Sequence, residues 1–210
     1  MNNRGRFIAF EGIDGSGKST QVRKLANHLT QHGHQVYTTF EPTDSPIGKI
    51  IRAIFNHQME GDQRVIAALF AADRLHHLLH SSEGMIAKLE QGHTVITDRY
   101  YLSSYAYHSV HNIDLDWIIS INAPSAALLK PDLNIYIDIS PETGLKRLTA
   151  GRTNIEMYET LDNLTQVKNQ YEKVFEKVGP SEKIAIVDGN KSPDKVFDDV
   201  LNAVLHNLEI

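Results

Sequence analysis

Eight consecutive residues, Gly12-Ile13-Asp14-Gly15-Ser16-Gly17-Lys18-Ser19, place three glycines, a lysine and a hydroxyl directly after the apolar run Phe7-Ile8-Ala9-Phe10. Glycines in such a run let the backbone turn tightly and aim N–H groups inward, and a helix beginning there adds its partial positive charge. A polyphosphate can then be bound largely by main chain. Lys18 is suited to the β- and γ-phosphates of a nucleoside triphosphate, and the Ser19 hydroxyl to Mg²⁺. The helix is present in the pattern, because Thr20 and the residues after it carry apolar side chains at Val22, Leu25, Ala26 and Leu29, which is helical spacing. Residues 12–20 therefore form the candidate triphosphate site. A glycine-rich turn with no ligand is the alternative, and the loop alone does not say what receives the phosphate.

Two further clusters could supply the acceptor chemistry. After the apolar run Val95-Ile96 come Thr97-Asp98-Arg99-Tyr100. An acid at the carboxyl end of a strand beside a phosphate loop can hold Mg²⁺ through water. Asp98 fits that place, with Ser19 as the other ligand. Arg99 offers a two-pronged fork to a second phosphate. The pair could equally be a structural ion pair at a strand end. In Leu69-Phe70-Ala71-Ala72-Asp73-Arg74, Phe70 and Arg74 lie four apart and so share one helix face. An aromatic ring to stack on a base and an arginine to bond its edge would make a base-reading pair. The competing reading puts Phe70 in the core and Arg74 on an exposed acid. His76, His77 and His80 have helical spacing, but no carboxylate cluster accompanies them, and a metal site is disfavoured.

These residues need a scaffold, and the rest of the 210-residue chain describes one. Strands are expected at 6–10, 35–40, 94–97, 133–139 and 183–187. Helices are expected at 18–32, 46–57, 62–91, 101–110, 115–128, 141–150, 159–178 and 192–208. Strands alternating with helical crossovers give an α/β fold with a parallel sheet and helices on both faces. Ligands of such sheets bind beyond the carboxyl ends of the strands, where the phosphate loop falls. The polar stretch 149–160 lacks an apolar period and is read as a mobile lid. Residues 1–210 are read as one domain. A net charge of −5 argues against a general nucleic-acid or anionic-membrane surface. With no cysteine, disulfides, thiolate metal sites and cysteine nucleophiles are excluded. The N-terminus is too short in apolar residues for a signal peptide or membrane span, so a cytoplasmic location is expected.

Taken together, the loop, Glu41-Pro42-Thr43-Asp44-Ser45-Pro46-Ile47-Gly48, Phe70 to Arg74, and Asp98-Arg99-Tyr100 with Ser103 and Ala106-Tyr107 resemble the thymidylate kinases. Leu115-Asp116-Trp117, Lys130-Pro131-Asp132-Leu133 and Pro141 to Arg147 extend the resemblance over nearly the whole chain. It implies a P-loop NTPase fold with a five-stranded parallel sheet and a short lid, transferring the γ-phosphoryl of ATP to dTMP in dTTP synthesis, with Mg²⁺ and as a homodimer. By position, Phe70 stacks on thymine and Arg74 reads its edge. Ser103 lies beside the base, Tyr107 crowds the 2′ position of the sugar, Asp14 approaches the acceptor's sugar and phosphate, and Arg99 clamps that phosphate. Two positions depart from the family pattern. No arginine stands in Thr39-Phe40-Glu41-Pro42-Thr43, which makes Arg52 the candidate to share the clamp, and His108 stands where glutamine is usual. The loop's variable positions carry no cation beyond Lys18, so a second one is expected from the lid region. Arg152 is assigned to the transition state and Arg147 to ATP, against the reading that both are solvated surface charges. A deoxynucleoside kinase and a nucleotide-dependent regulatory module on the same fold are the alternatives.

Overall fold

The computed structural model describes residues 4–110, 112–150 and 160–208. Among them five strands, β1 (Phe7–Glu11), β2 (Val36–Phe40), β3 (Thr94–Asp98), β4 (Leu133–Asp138) and β5 (Ile184–Asp188), form one sheet in the order β2-β3-β1-β4-β5. Every pairing is parallel. β1 is buried at all five residues, as a central strand covered on both faces must be. Its alternating side chains divide the core. Phe7 and Ala9 face one layer with the buried residues of α3 (Gln63–Leu79), α4 (Met85–Glu90), α5 (Tyr101–His108) and α8 (Leu161–Val178). Ile8 and Phe10 face the other with Val22, Leu25 and Leu29 of α1 (Lys18–Gln31) and Val196, Val200 and Val204 of α9 (Pro193–Asn207). A period of two along the strand and of 3.6 along the helices is what allows one sheet to serve two layers.

The remaining helices are α2 (Pro46–Phe55), α6 (Leu115–Leu128) and α7 (Pro141–Thr149). Ser45 and Ser140 cap α2 and α7, each followed by a proline at the first helical position, the arrangement that satisfies free N–H groups and fixes φ at a helix start. The one helix expected over 62–91 is two. His80 leaves α3 with an extended ψ of 127°, and Gly84 then accommodates a turn in which a Cβ would lie 2.3 Å from the His80 carbonyl oxygen. Residues 80–84 are His-Ser-Ser-Glu-Gly, but Leu78 and Met85 on either side lie seven apart, in helical register, so periodicity alone does not reveal the break. Most of the expected lid, residues 151–159, and Arg152 with it, lies outside the described residues.

Candidate active site

The loop between β1 and α1 has its glycines where the backbone needs them. Gly15 has φ +76°, and a Cβ there would meet the Gly144 carbonyl oxygen of α7 at 2.4 Å. Gly12 has φ +140° and lies against the Ile137 carbonyl of β4. Only glycine adopts such conformations without strain. The N-terminus of α1 carries neither a side-chain cap nor an acid in its first turn, so its positive end is left for an anion. Lys18 curls back into the loop, its Nζ donating to the carbonyls of Gly12 and Ile13 at 3.0 Å each. Burial and the nearby Arg99 push its pKa down to about 8, against Asp98, Asp14 and Glu11. Ser19 Oγ donates to Asp98 Oδ2 at 2.5 Å, which brings the two expected Mg²⁺ ligands together at the end of β3.

Arg99 is the link between this loop and a cavity beside it. Its φ of +76° is unusual outside glycine and costs on the order of 1–3 kcal/mol. The strained turn is held by Arg99 N–H to the Phe10 carbonyl at 2.9 Å. The guanidinium donates to Gly12 O at 3.2 Å, Ser103 Oγ at 3.1 Å, Asp14 Oδ1 at 2.5 Å and Tyr107 Oη at 3.0 Å. Burial raises the cost of the Asp14 charge, but Arg99 and Lys18 outweigh it and hold Asp14 below its ordinary range. Tyr107 Oη also donates to Asp14 Oδ2 at 2.9 Å.

The cavity has a volume of about 450 Å³. Asp14, Arg99, Ser103 and Tyr107 line its phosphate-loop end; Phe55, Phe70, Arg74, Ser104 and His108 line the rest, with Arg52 at the β2 side. Phe70 is packed between Phe55 and His108, with ring centroids 6.0 and 5.0 Å away. Arg74 fulfils parts of both sequence readings. It reaches the cavity, yet it is 1% exposed and bridges to a buried acid rather than an exposed one, donating through Nε and Nη2 to Glu41 Oε2 at 2.8 and 2.6 Å. Asn122 Oδ1 and Ser104 Oγ accept its other bonds, and His77 Nδ1 lies 3.2 Å from Glu41 Oε1. A buried arginine with this many acceptors is held in one orientation. The loop after β2 is fastened as well: Asp73 accepts from Thr43 N–H, Thr43 Oγ1 and Ser45 Oγ at 2.6–2.7 Å. Arg52 donates to the carbonyls of Pro42 and Thr43 and to Asp44.

Arg147 stands on the other side of the phosphate loop, donating to the carbonyls of Gly15 at 3.4 Å and Gly189 at 2.9 Å. Sequence reasoning passed over Glu11, Glu41, Asn122 and Tyr171. Glu11 did carry a signal, an ionisable residue at the end of an apolar strand against the glycine loop. Asn122 and Tyr171 reach the site from 48 and 160 residues away from their partners Arg74 and Glu11, and no local pattern marks them. Among the described residues no helix is long and apolar enough to cross a membrane.

The family model for thymidylate kinase matches residues 10–200. A probable thymidylate kinase of Staphylothermus marinus is 36% identical over 206 residues, covering 98% of each chain, and one of Pyrococcus horikoshii is 36% identical over 210 residues, again 98% of each. A thymidylate kinase of Leptospira borgpetersenii serovar Hardjo-bovis is 34% identical over 201 residues, covering 96% of this chain and 94% of its own.

Proposed function

This chain belongs to the thymidylate kinase family, and on that premise we propose how its residues transfer the γ-phosphoryl group of ATP to dTMP, giving ADP and dTDP. The observation that carries the assignment is Arg99, one cation bonded at once to the phosphate loop through Gly12 and to Asp14 at the mouth of the Phe70–Arg74 cavity. A shared arginine at that junction suits a reaction between two anions, because the transferred group passes from a loop-bound donor to a cavity-bound acceptor. No protein nucleophile is required. In-line placement and cationic surroundings carry the rate.

Residues 12–20 bind the ATP phosphates. Lys18 leaves its carbonyl partners for the β- and γ-phosphates, and Arg147 supports the donor from behind the loop. Arg99 takes the dTMP phosphate, assisted by Arg52; Asp14 orients the acceptor near its sugar and phosphate. Phe70 stacks on the thymine, Arg74 bonds its edge from the orientation fixed by Glu41, Ser103 lies beside the base, and Tyr107 crowds the 2′ position. Arg152, from the expected lid at 149–160, completes the charge around the transition state. Ser19 and Asp98 are hard oxygen donors at hydrogen-bonding distance and fit Mg²⁺, which takes one or two protein oxygens alongside substrate phosphates. When bound, the ion would neutralise charge on the donor phosphates.

The whole chain acts as one catalytic domain, and its need for ATP favours the cytoplasm. A second copy covers the apolar stripe of α3 formed by the exposed Val65, Ala68, Ala72 and Leu79 with the half-buried Leu75, which has the 3-4 spacing of a helix–helix seam. Trp117, Pro124 and Leu128 are exposed on the neighbouring α6. Incubating the chain with ATP, Mg²⁺ and dTMP and separating the nucleotides should give dTDP and ADP in equal amounts. ADP formed without dTDP would contradict the assignment.

A further inference from the structure

Glu11 closes β1 beneath the phosphate loop, is completely buried, and has no part in the mechanism above. Its Oε1 accepts the Tyr100 N–H at 3.0 Å. Its Oε2 meets two hydroxyls, Ser103 Oγ from α5 and Tyr171 Oη from α8 at 3.0 Å. Those hydroxyls lie 2.9 Å from each other. Three oxygens thus form a closed ring of three contacts. Each contact needs one proton, and two hydroxyls supply only two. The outer lone pairs are already spoken for: Arg99 Nη1 donates to Ser103 at 3.1 Å and Gly12 N–H to Tyr171 at 3.3 Å. With the carboxylate ionised, both hydroxyls donate to Oε2 and their contact with each other carries no proton; only a proton on the carboxyl group makes all three contacts hydrogen bonds.

We propose that in the substrate-loaded enzyme Glu11 is a neutral acid whose proton closes this ring, and that it thereby acts as the positioning residue holding Arg99 and the first residue of the phosphate loop in register. The inference rests on the reading of Arg99 as the acceptor-phosphate clamp. Burial already raises Glu11 to about 7, against the bonds from Ser103 and Tyr171 and the charge of Arg99. The charged groups facing it are Arg99, just beyond β3, and Lys18 of α1. Tyr100, Tyr136 of β4 and Tyr171 of α8 are its titratable neighbours, the tyrosines all shifted upward by burial. Arg99 is therefore one of the groups that keep the carboxylate ionised in the free protein. A phosphate dianion seated on Arg99 offsets that charge, and the carboxylate takes up a proton.

Calorimetry of dTMP binding at pH 7.5 in two buffers of different ionisation enthalpy reads this uptake. Roughly half a proton or more should be taken up per dTMP bound, several-fold less in Glu11→Gln, and close to none with thymidine, which brings no charge to Arg99. Equal uptake in the wild type and Glu11→Gln, no uptake in either, or equal uptake with thymidine would each overturn the proposal. Binding of dTMP without uptake refutes this inference alone, whereas failure of dTMP to bind refutes the clamp on which it rests. In kinetics, Glu11→Ala should lower kcat/KM for dTMP by about tenfold or more. Glu11→Gln, a neutral donor of the same shape, should recover most of that loss. If the amide is no better than alanine, the neutral form is not what positions Arg99.

Discussion

At the scale of single residues, the proposed mechanism separates groups assigned to the donor from groups assigned to the acceptor. Lys18 is bonded within the loop and is absent from the cavity lining. Lys18→Ala should abolish turnover while leaving dTMP binding, measured by calorimetry, largely intact. Phe70 and Arg74 share a helix face but should respond differently. Phe70→Ala removes a stacking surface worth about 1–3 kcal/mol and should raise KM for dTMP by about 5- to 150-fold, read from steady-state kinetics. Arg74→Ala also strands the buried Glu41 charge, which costs about 3–5 kcal/mol, so its Tm should fall by roughly 6–20 °C as dTMP affinity drops. An Arg74→Ala variant with an unchanged Tm would mean that the Glu41 pair does not hold the cavity wall. Glu11 gives a pH signature. Its folded pKa of about 7 lies above the ordinary carboxyl value of about 4.5, so its contribution is fully present below about pH 4.5 and is lost as pH rises through 7. The change amounts to roughly 3 kcal/mol. Urea unfolding should show Glu11→Gln gaining on the wild type by about that amount between pH 5 and pH 8. Sequence reasoning singled out the residues with distinctive chemistry, the glycines, Lys18, Asp98 and Arg99, which the fold brings to one end of the sheet. It had no means to find Asn122 or Tyr171, whose roles come from the way distant helices pack.

At the scale of elements, the phosphate loop is held from two sides. α7 presses its Gly144 against Gly15, and Arg147 ties Gly15 to the turn after β5. Gly15→Ala forces a Cβ into the Gly144 carbonyl at a position with positive φ. It should displace the loop and weaken ATP binding by at least about tenfold, whereas Arg147→Ala should raise KM for ATP with little change in kcat. A fall in kcat with KM unchanged in Arg147→Ala would place that arginine on the transition state instead. The strands and most helices were legible because each has a clean apolar period and recognisable boundaries, such as Ser45-Pro46 and Ser140-Pro141. The boundary missed at His80 to Gly84 is a turn set by backbone fit, on which hydrophobic period is silent. The two-faced assignment of β1 was likewise implied by alternation between strands and helices, but which side chain faces which layer is decided by register.

At the scale of the whole molecule, the sheet order puts β1 between β3 and β4, so the phosphate loop, Asp98 and Arg99 converge at one sheet end while α3 and α5 wall the cavity. α3 serves twice, with Phe70 and Arg74 directed to the cavity and the stripe from Val65 to Leu79 exposed on its outer side. On the proposal that a second copy covers that stripe, the wild type should sediment as a dimer at micromolar concentration and Ala72→Glu, which puts a charge in its middle, as a monomer; an unchanged sedimentation coefficient would put any interface elsewhere. The most direct measurement of the central claim compares kcat/KM for dTMP and for thymidine as acceptors of the ATP γ-phosphoryl, in the wild type and in Arg99→Ala. If Arg99 is the cation shared by donor loop and acceptor cavity, the wild type should prefer dTMP by about 1,000-fold or more, and Arg99→Ala should lose most of that preference through the dTMP value. A wild-type enzyme that phosphorylates thymidine as well as dTMP, or an Arg99→Ala variant that keeps the full preference, would contradict it.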